Sequence, residues 1–150
     1  MLGAKIIFPV RHTHWVANLM PARKKKRDIR LCINFRNLKK ASQKDNYPVP
    51  SMEYILQCVS GSKMLSLLDG FSGYNQVLVS NGDQLKTTFN TKWGSYTYYR
   101  MPFGLINAGA TFQRAMDLAF RGLINRSVAA SMDDITIYSY HKRDHIYHLK

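Results

Sequence analysis

An α+β fold is predicted by three observations. Residues 29–35 alternate Ile29, Leu31, Ile33 and Phe35 with Arg30, Cys32 and Asn34, the period of a half-buried strand. Ser131-Met132-Asp133-Asp134 sits between Val128-Ala129-Ala130 and Ile135-Thr136-Ile137-Tyr138, which reads as a tight β-hairpin with two adjacent carboxylates at its bend. Residues 108–121 place Phe112, Met116, Ala119 and Phe120 on one helical stripe. At 150 residues the chain suits one domain with a sizeable core, about two-thirds of the unfolded surface leaving water.

At the N-terminus, Ile6-Ile7-Phe8 is cut by Pro9 and followed by Arg11 and His12, too short for a signal peptide or a membrane span. A strand over 15–20 and the strand over 29–35 would flank the run Arg23-Lys24-Lys25-Lys26-Arg27. Such a hairpin projects five cations at its tip and holds Arg30 opposite the apolar face, a geometry suited to a triphosphate or a template. Pro48 and Pro50 keep 47–50 extended, and Ser51 then caps a helix over 52–60 with Ile55, Leu56 and Val59 inward and Gly61 as its stop. Met64-Leu65-Ser66-Leu67-Leu68 reads as a buried strand that delivers Asp69 to the edge of the sheet holding the hairpin. Gly70-Phe71-Ser72-Gly73-Tyr74 is turn-rich and precedes a strand over 76–79, with Tyr74 close to Asp69. Residues 87–89 and 96–100 pair around Gly94, Met101-Pro102-Phe103-Gly104 is a loop, and Asn107 caps the helix over 108–121. Gln113 and Arg114 fall off that helix's apolar stripe, toward a groove or toward solvent.

Lys and Arg total 22 against 9 Asp and Glu, a net charge of +13, so a polyanion is the expected partner. Cys32 and Cys58 stand far apart, outside any C-x-x-C pair, which excludes a disulfide framework and a zinc site and fits a reducing intracellular compartment. His141, His145 and His148 fall at helical spacing without an acidic or cysteine partner and are read as a surface helix; His12 and His14 are read as no metal site either. The chemistry rests on Asp69, Asp133 and Asp134. Two divalent cations about 3.5–4 Å apart can activate an attacking hydroxyl and stabilise a leaving pyrophosphate, and Mg²⁺ needs few protein carboxylates because substrate phosphates and water complete its shell. The alternative is a solvated Asp-Asp turn.

Leu68-Asp69-Gly70-Phe71-Ser72-Gly73-Tyr74-Asn75-Gln76, Met101-Pro102-Phe103-Gly104-Leu105, Asn107-Ala108-Gly109-Ala110-Thr111-Phe112-Gln113 and Met132-Asp133-Asp134, in this order and spacing, resemble the reverse transcriptase of gypsy-type LTR retrotransposons. Trp15-Val16-Ala17-Asn18, Arg30 through Leu38, and Asp45-Asn46-Tyr47-Pro48-Val49-Pro50 extend the resemblance over nearly the whole chain. It implies a right-hand polymerase fold with an antiparallel palm sheet and helices on one face. Fingers are expected near 1–63 and 80–105, palm near 64–79 and 106–150, with the thumb absent and the chain a fragment. It also implies an RNA-directed DNA polymerase using two Mg²⁺, with Mn²⁺ as a substitute. Asp69, Asp133 and Asp134 match the catalytic metal ligands. Lys24, Lys25, Arg30, Tyr74, Phe103 and Gly104 match the nucleotide pocket, where the aromatic Tyr74 crowds a ribose 2′-hydroxyl, and Arg36, Gln113 and Met132 match template or primer contacts. The implied partners are a primed RNA or DNA template and deoxynucleoside triphosphates, not a membrane, within a longer polyprotein that carries thumb and RNase H; the compartment is cytoplasm or nucleus. Ser131 stands where the family carries Tyr, Asn34 where it has Asp, and Asn37 and Lys39 where it has Asp and Asn. Weak or absent polymerisation is expected of the isolated chain, and an inert remnant that binds nucleic acid non-specifically is the alternative.

Overall fold

The computed structural model describes residues 1–23, 29–70, 72–132 and 134–150, with Arg23, Arg30 and Leu31 described by backbone alone. In chain order the elements are β1 (Ile7–Val10), β2 (Leu19–Arg23), β3 (Ile29–Ile33), α1 (Arg36–Ala41), α2 (Met52–Val59), β4 (Met64–Asp69), α3 (Asn81–Gln84), β5 (Phe89–Thr91), β6 (Gly94–Tyr98), α4 (Ala108–Ala119), β7 (Val128–Ser131), β8 (Asp134–Ser139) and α5 (His145–His148). They fall into two compact units, Met1–Lys44 with Tyr74–Ala108, and Asp45–Gly73 with Gly109–Lys150.

The first unit holds an antiparallel sheet in the order β1-β6-β5 and the hairpin β2-β3. Pro9 lies within β1 rather than ending it, because β1 is an edge strand and needs no donor on its open side. The strand expected over 15–20 starts instead at Leu19. Ala17 is already engaged elsewhere: its N–H donates to Thr88 O at 2.8 Å and its carbonyl accepts from Asn90 N at 3.3 Å. Leu19 pairs with Ile33 and Arg23 with Ile29, so the expected hairpin forms, while its tip, Lys24 to Arg27, lies outside the described residues. The expected 87–89 and 96–100 pair is shifted to β5 and β6. Thr87 is drawn out of the ladder because its hydroxyl donates to Gln84 O at 2.7 Å and accepts from Tyr98 N at 3.1 Å. The strand expected over 76–79 is a 3₁₀ turn over Gly73–Gln76 followed by a single bridge between Leu78 and Arg100. Phe35, Phe89 and Tyr98 form the core, with Ile7, Leu19, Ile33 and Leu38 packed around them.

The second unit is built on an antiparallel sheet in the order β4-β8-β7. Val128, Ala129, Ala130, Ile137 and Tyr138 are the buried apolar residues of that sheet, and α2 packs against β7. Ser51 caps α2 as expected, its hydroxyl accepting from Tyr54 N at 3.2 Å, and Gly61 at φ +76° occupies the left-handed position that stops it. Leu56, expected to face inward, is 60% exposed, and Cys58 takes its place among the half-buried residues of α2. The run before Asp69 forms the expected strand but is not buried: Leu67 is 80% exposed on β4, whereas Val128, Ala129 and Ala130 of β7, the other edge of the sheet, are buried. Ala119 likewise ends α4 exposed. His145 departs from the expected surface helix. It is buried between Ser66 of β4 and Ser139 of β8, whose hydroxyls lie 2.8 Å from Nε2 and 2.9 Å from Nδ1, and His148 Nδ1 lies 2.7 Å from the same Ser139.

Candidate active site

β4 runs from Met64 opposite Ser139 to Asp69 opposite Asp134, and β7 brings Ser131 opposite Asp134 from the other side. Register alone therefore sets Asp69 and Asp134 directly across from each other at one end of the sheet. Opposed residues of an antiparallel pair hold their Cβ atoms about 4.5–5.5 Å apart, and like charges in that position repel. Two exposed carboxylates so placed suit a hard cation shared between them. Asp133 lies outside the described residues, and among the described residues no three His, Cys, Asp or Glu side chains come together.

The pairing of Ser131 with Asp134 leaves a two-residue loop, and tight hairpins of this length take positive φ in the loop. Met132 obliges with φ +52°, a conformation disfavoured for a residue with a Cβ. What holds it is Gln113. Its Oε1 accepts the Met132 N–H at 3.0 Å, while Nε2 donates to Ala130 O at 3.1 Å and to Asp117 Oδ1 at 3.0 Å. Gln113 is 0% exposed, so the side chain expected on a groove or in solvent is spent inside the second unit. The apolar stripe misled because a fully hydrogen-bonded amide can be buried at little cost.

Arg114 is also committed. Its guanidinium lies 2.9 Å from Asp45 Oδ2 and over the Tyr47 ring at 4.4 Å. The Tyr47 hydroxyl donates to Asp117 Oδ2 at 2.6 Å. The Arg114 hydrogen bond, with a second from Tyr47 N–H, holds the Asp45 carboxyl below its ordinary range, and the bond to Asp117 raises the Tyr47 hydroxyl. Sequence reading missed Asp117. The signal was its i,i+4 spacing from Gln113, which puts both on one helix face.

In the first unit, Tyr74 is buried with its ring centroid 4.6 Å from that of Phe103, which is 61% exposed. Gly104, next to Phe103 in the chain, takes φ +96°, and a Cβ there would stand 3.7 Å from the Phe35 ring. Arg36 is exposed at the start of α1, its N–H donating to Asn34 Oδ1 at 3.2 Å, a bond that an Asp at 34 would equally accept. Ser131 donates to Pro50 O at 3.0 Å. Lys24 and Lys25 lie outside the described residues, and Arg30 is known by its backbone, opposite Ala22.

A family model for reverse transcriptase (RNA-dependent DNA polymerase) matches residues 22–150. The chain belongs to the reverse transcriptase family. This reverse transcriptase chain is 39% identical over 120 residues to the retrovirus-related Pol polyprotein from transposon gypsy of Drosophila melanogaster, a match covering 80% of this chain and 12% of that one. It is 38% identical over 125 residues to an RNA-directed DNA polymerase homolog of Oenothera berteroana, covering 81% of this chain and 88% of that one. The gypsy-type resemblance is thereby borne out. The foamy viral protease-reverse transcriptase in complex with double-stranded DNA superposes with a TM-score of 0.88 at 18% identity, over 99% of this chain and 26% of that one, which shows the shared fold. The chain spans 12% and 13% of the gypsy and 297 polyproteins. Among the described residues no helix is long and apolar enough to cross a membrane.

Proposed function

We propose that this chain is the fingers and palm part of an RNA-directed DNA polymerase that adds deoxynucleotides to a primer 3′-hydroxyl on an RNA or DNA template. The single observation that carries the reading is the register that sets Asp69 opposite Asp134, one residue beyond Asp133. The donor set suits Mg²⁺, with Mn²⁺ as a substitute: hard oxygens, exposed, mutually repelling, and few enough to leave room for phosphate oxygens. Two such ions, when bound, lower the barrier to phosphoryl transfer by stabilising the attacking and leaving oxygens. The chain's own residues do the rest. Asp69, Asp133 and Asp134 hold the charge at the reacting end of the sheet. Lys24, Lys25 and Arg30 neutralise the triphosphate, Arg through paired hydrogen bonds. Buried Tyr74 under exposed Phe103 makes a firm wall against a sugar 2′-hydroxyl. Arg36 and the Met132 turn meet the template and primer. In this reading the fingers lie near 1–63 and 80–105 and the palm near 64–79 and 106–150, bounds that differ from those of the two compact units, which put 45–63 in the second and 74–79 in the first.

Primer extension on an RNA template with Mg²⁺ tests it, with wild-type chain beside Asp69→Asn and Asp134→Asn. Weak extension by the wild type that is lost in either variant is expected, because each substitution removes a carboxylate from the metal-binding set. Extension that survives both substitutions overturns the reading.

A further inference from the structure

A hydrogen-bonded chain leads away from the turn into the body of the second unit: Met132 N–H to Gln113, Gln113 to Asp117, Asp117 to Tyr47, and Tyr47 beneath the Arg114 guanidinium that binds Asp45. We propose that Asp117, held by the Tyr47 hydroxyl, is a positioning residue for the metal-binding turn, acting by fixing which way round the Gln113 amide sits. The inference rests on the polymerase reading for its consequence and on the geometry alone for its mechanism.

An amide side chain has a donor end and an acceptor end. Gln113 Nε2 points at two acceptors, Asp117 Oδ1 and the Ala130 carbonyl. The opposite end must then be the oxygen, and it takes the Met132 N–H. Remove Asp117 and the orientation is selected by two partners in place of three, the Ala130 carbonyl at the NH₂ end and the Met132 N–H at the oxygen end. An amide turned around would aim NH₂ at the Met132 N–H and break the contact that offsets the left-handed backbone there. Because Ser131 and Asp134 are adjacent to the two-residue loop, a relaxed Met132 shifts Asp134 relative to Asp69.

The Tyr47 hydroxyl completes the device. It occupies Asp117 Oδ2 at 2.6 Å, which leaves Oδ1 directed at Gln113 and stops the carboxylate from rotating away. Asn at 117 keeps the pattern, giving its oxygen to Gln113 and its NH₂ to the tyrosine oxygen. Leu of similar size cannot.

The test uses the full chain with Asp117→Leu, Asp117→Asn and Tyr47→Phe. Two readouts are followed that need no turnover: hydrogen exchange of the Met132 amide, and Mn²⁺ affinity by water-proton relaxation. Asp117→Leu is expected to speed Met132 exchange and weaken Mn²⁺ binding by about tenfold each, as for a group that orients a metal ligand, while amides of β4 and β8 away from the turn keep their protection. Asp117→Asn is expected to stay near wild type on both. Met132 exchange unchanged in a folded Asp117→Leu chain overturns the proposal, and so does equal damage by Asn and Leu. If Asp117→Leu does not fold, Tyr47→Phe decides: faster Met132 exchange supports the proposal and unchanged exchange overturns it. A wild type that binds no Mn²⁺ counts against the polymerase reading, while the exchange arm still judges the role of Asp117.

Discussion

Met132 takes the strain of a two-residue loop in its own backbone, and Gln113, buried beneath it, makes that conformation the favoured one. Gly73 shows the opposite economy. A Cβ at Gly73 would lie 2.6 Å from Cζ of Phe112, a ring that is itself buried and has little room to retreat. Gly73→Ala is therefore expected to lower the stability of the chain by about 1–3 kcal/mol, the usual range for overpacking a filled core, read as a shift of the urea midpoint with an unchanged slope. No shift of the midpoint would mean that the Phe112 ring moves freely. Asp45 adds a pH dependence. Its carboxyl is held low by Arg114, so its contribution to stability is complete above the unfolded carboxylate value of about 3.9 and disappears as pH falls through the lower folded value. Arg114→Gln is expected to be less stable than wild type at neutral pH and to converge with it in strong acid. A gap that stays constant across that range would assign the loss to packing on the Tyr47 ring instead.

Among the elements, β4 is the one whose sequence and surroundings disagree. Met64, Leu65, Leu67 and Leu68 form an apolar run on an edge strand that exposes most of it, with Asp69 as its final residue. Exposed apolar edges invite pairing with other chains. Leu67→Thr keeps β-propensity and removes the most exposed of these side chains. It is expected to change stability by less than about 0.5 kcal/mol and to reduce self-association in light scattering. A substantial loss of stability would show that Leu67 is covered in solution. The seam of Ser66, Ser139, His145 and His148 explains why the C-terminal helix docks where it does. Hydroxyls can donate or accept, so both ring nitrogens of buried His145 find partners.

For the whole molecule the dominant quantity is charge. A chain of 150 residues at +13 repels itself and attracts polyanions over a distance set by salt. Binding to a primed template is expected to fall linearly in log K against log salt, by on the order of 10³-fold between 50 and 200 mM if about six phosphates are engaged, and to depend little on base sequence. Titration by fluorescence anisotropy checks this. Salt-resistant binding to one sequence would point to base readout instead of phosphate contact.

What the sequence by itself determined is the family, most of the element order, and the position of the hairpin. Those follow from local signals: alternation in 29–33, the proline and Ser51 entry to α2, and the order of motifs from Leu68 to Asp134. What only the tertiary structure decided is which residues are inside and which are opposite. Gln113 and His145 look solvated from their own segments, because the partners that satisfy them, Ala130 and Met132 for one, Ser66 and Ser139 for the other, lie 17 or more residues away except for Ser139. Leu67 looks buried because a short apolar run carries no information about which faces of its strand other elements cover. The pairing of Asp69 with Asp134 joins strands 65 residues apart in the chain. Periodicity places each acid on a strand, and only the register of the folded sheet sets them across from each other.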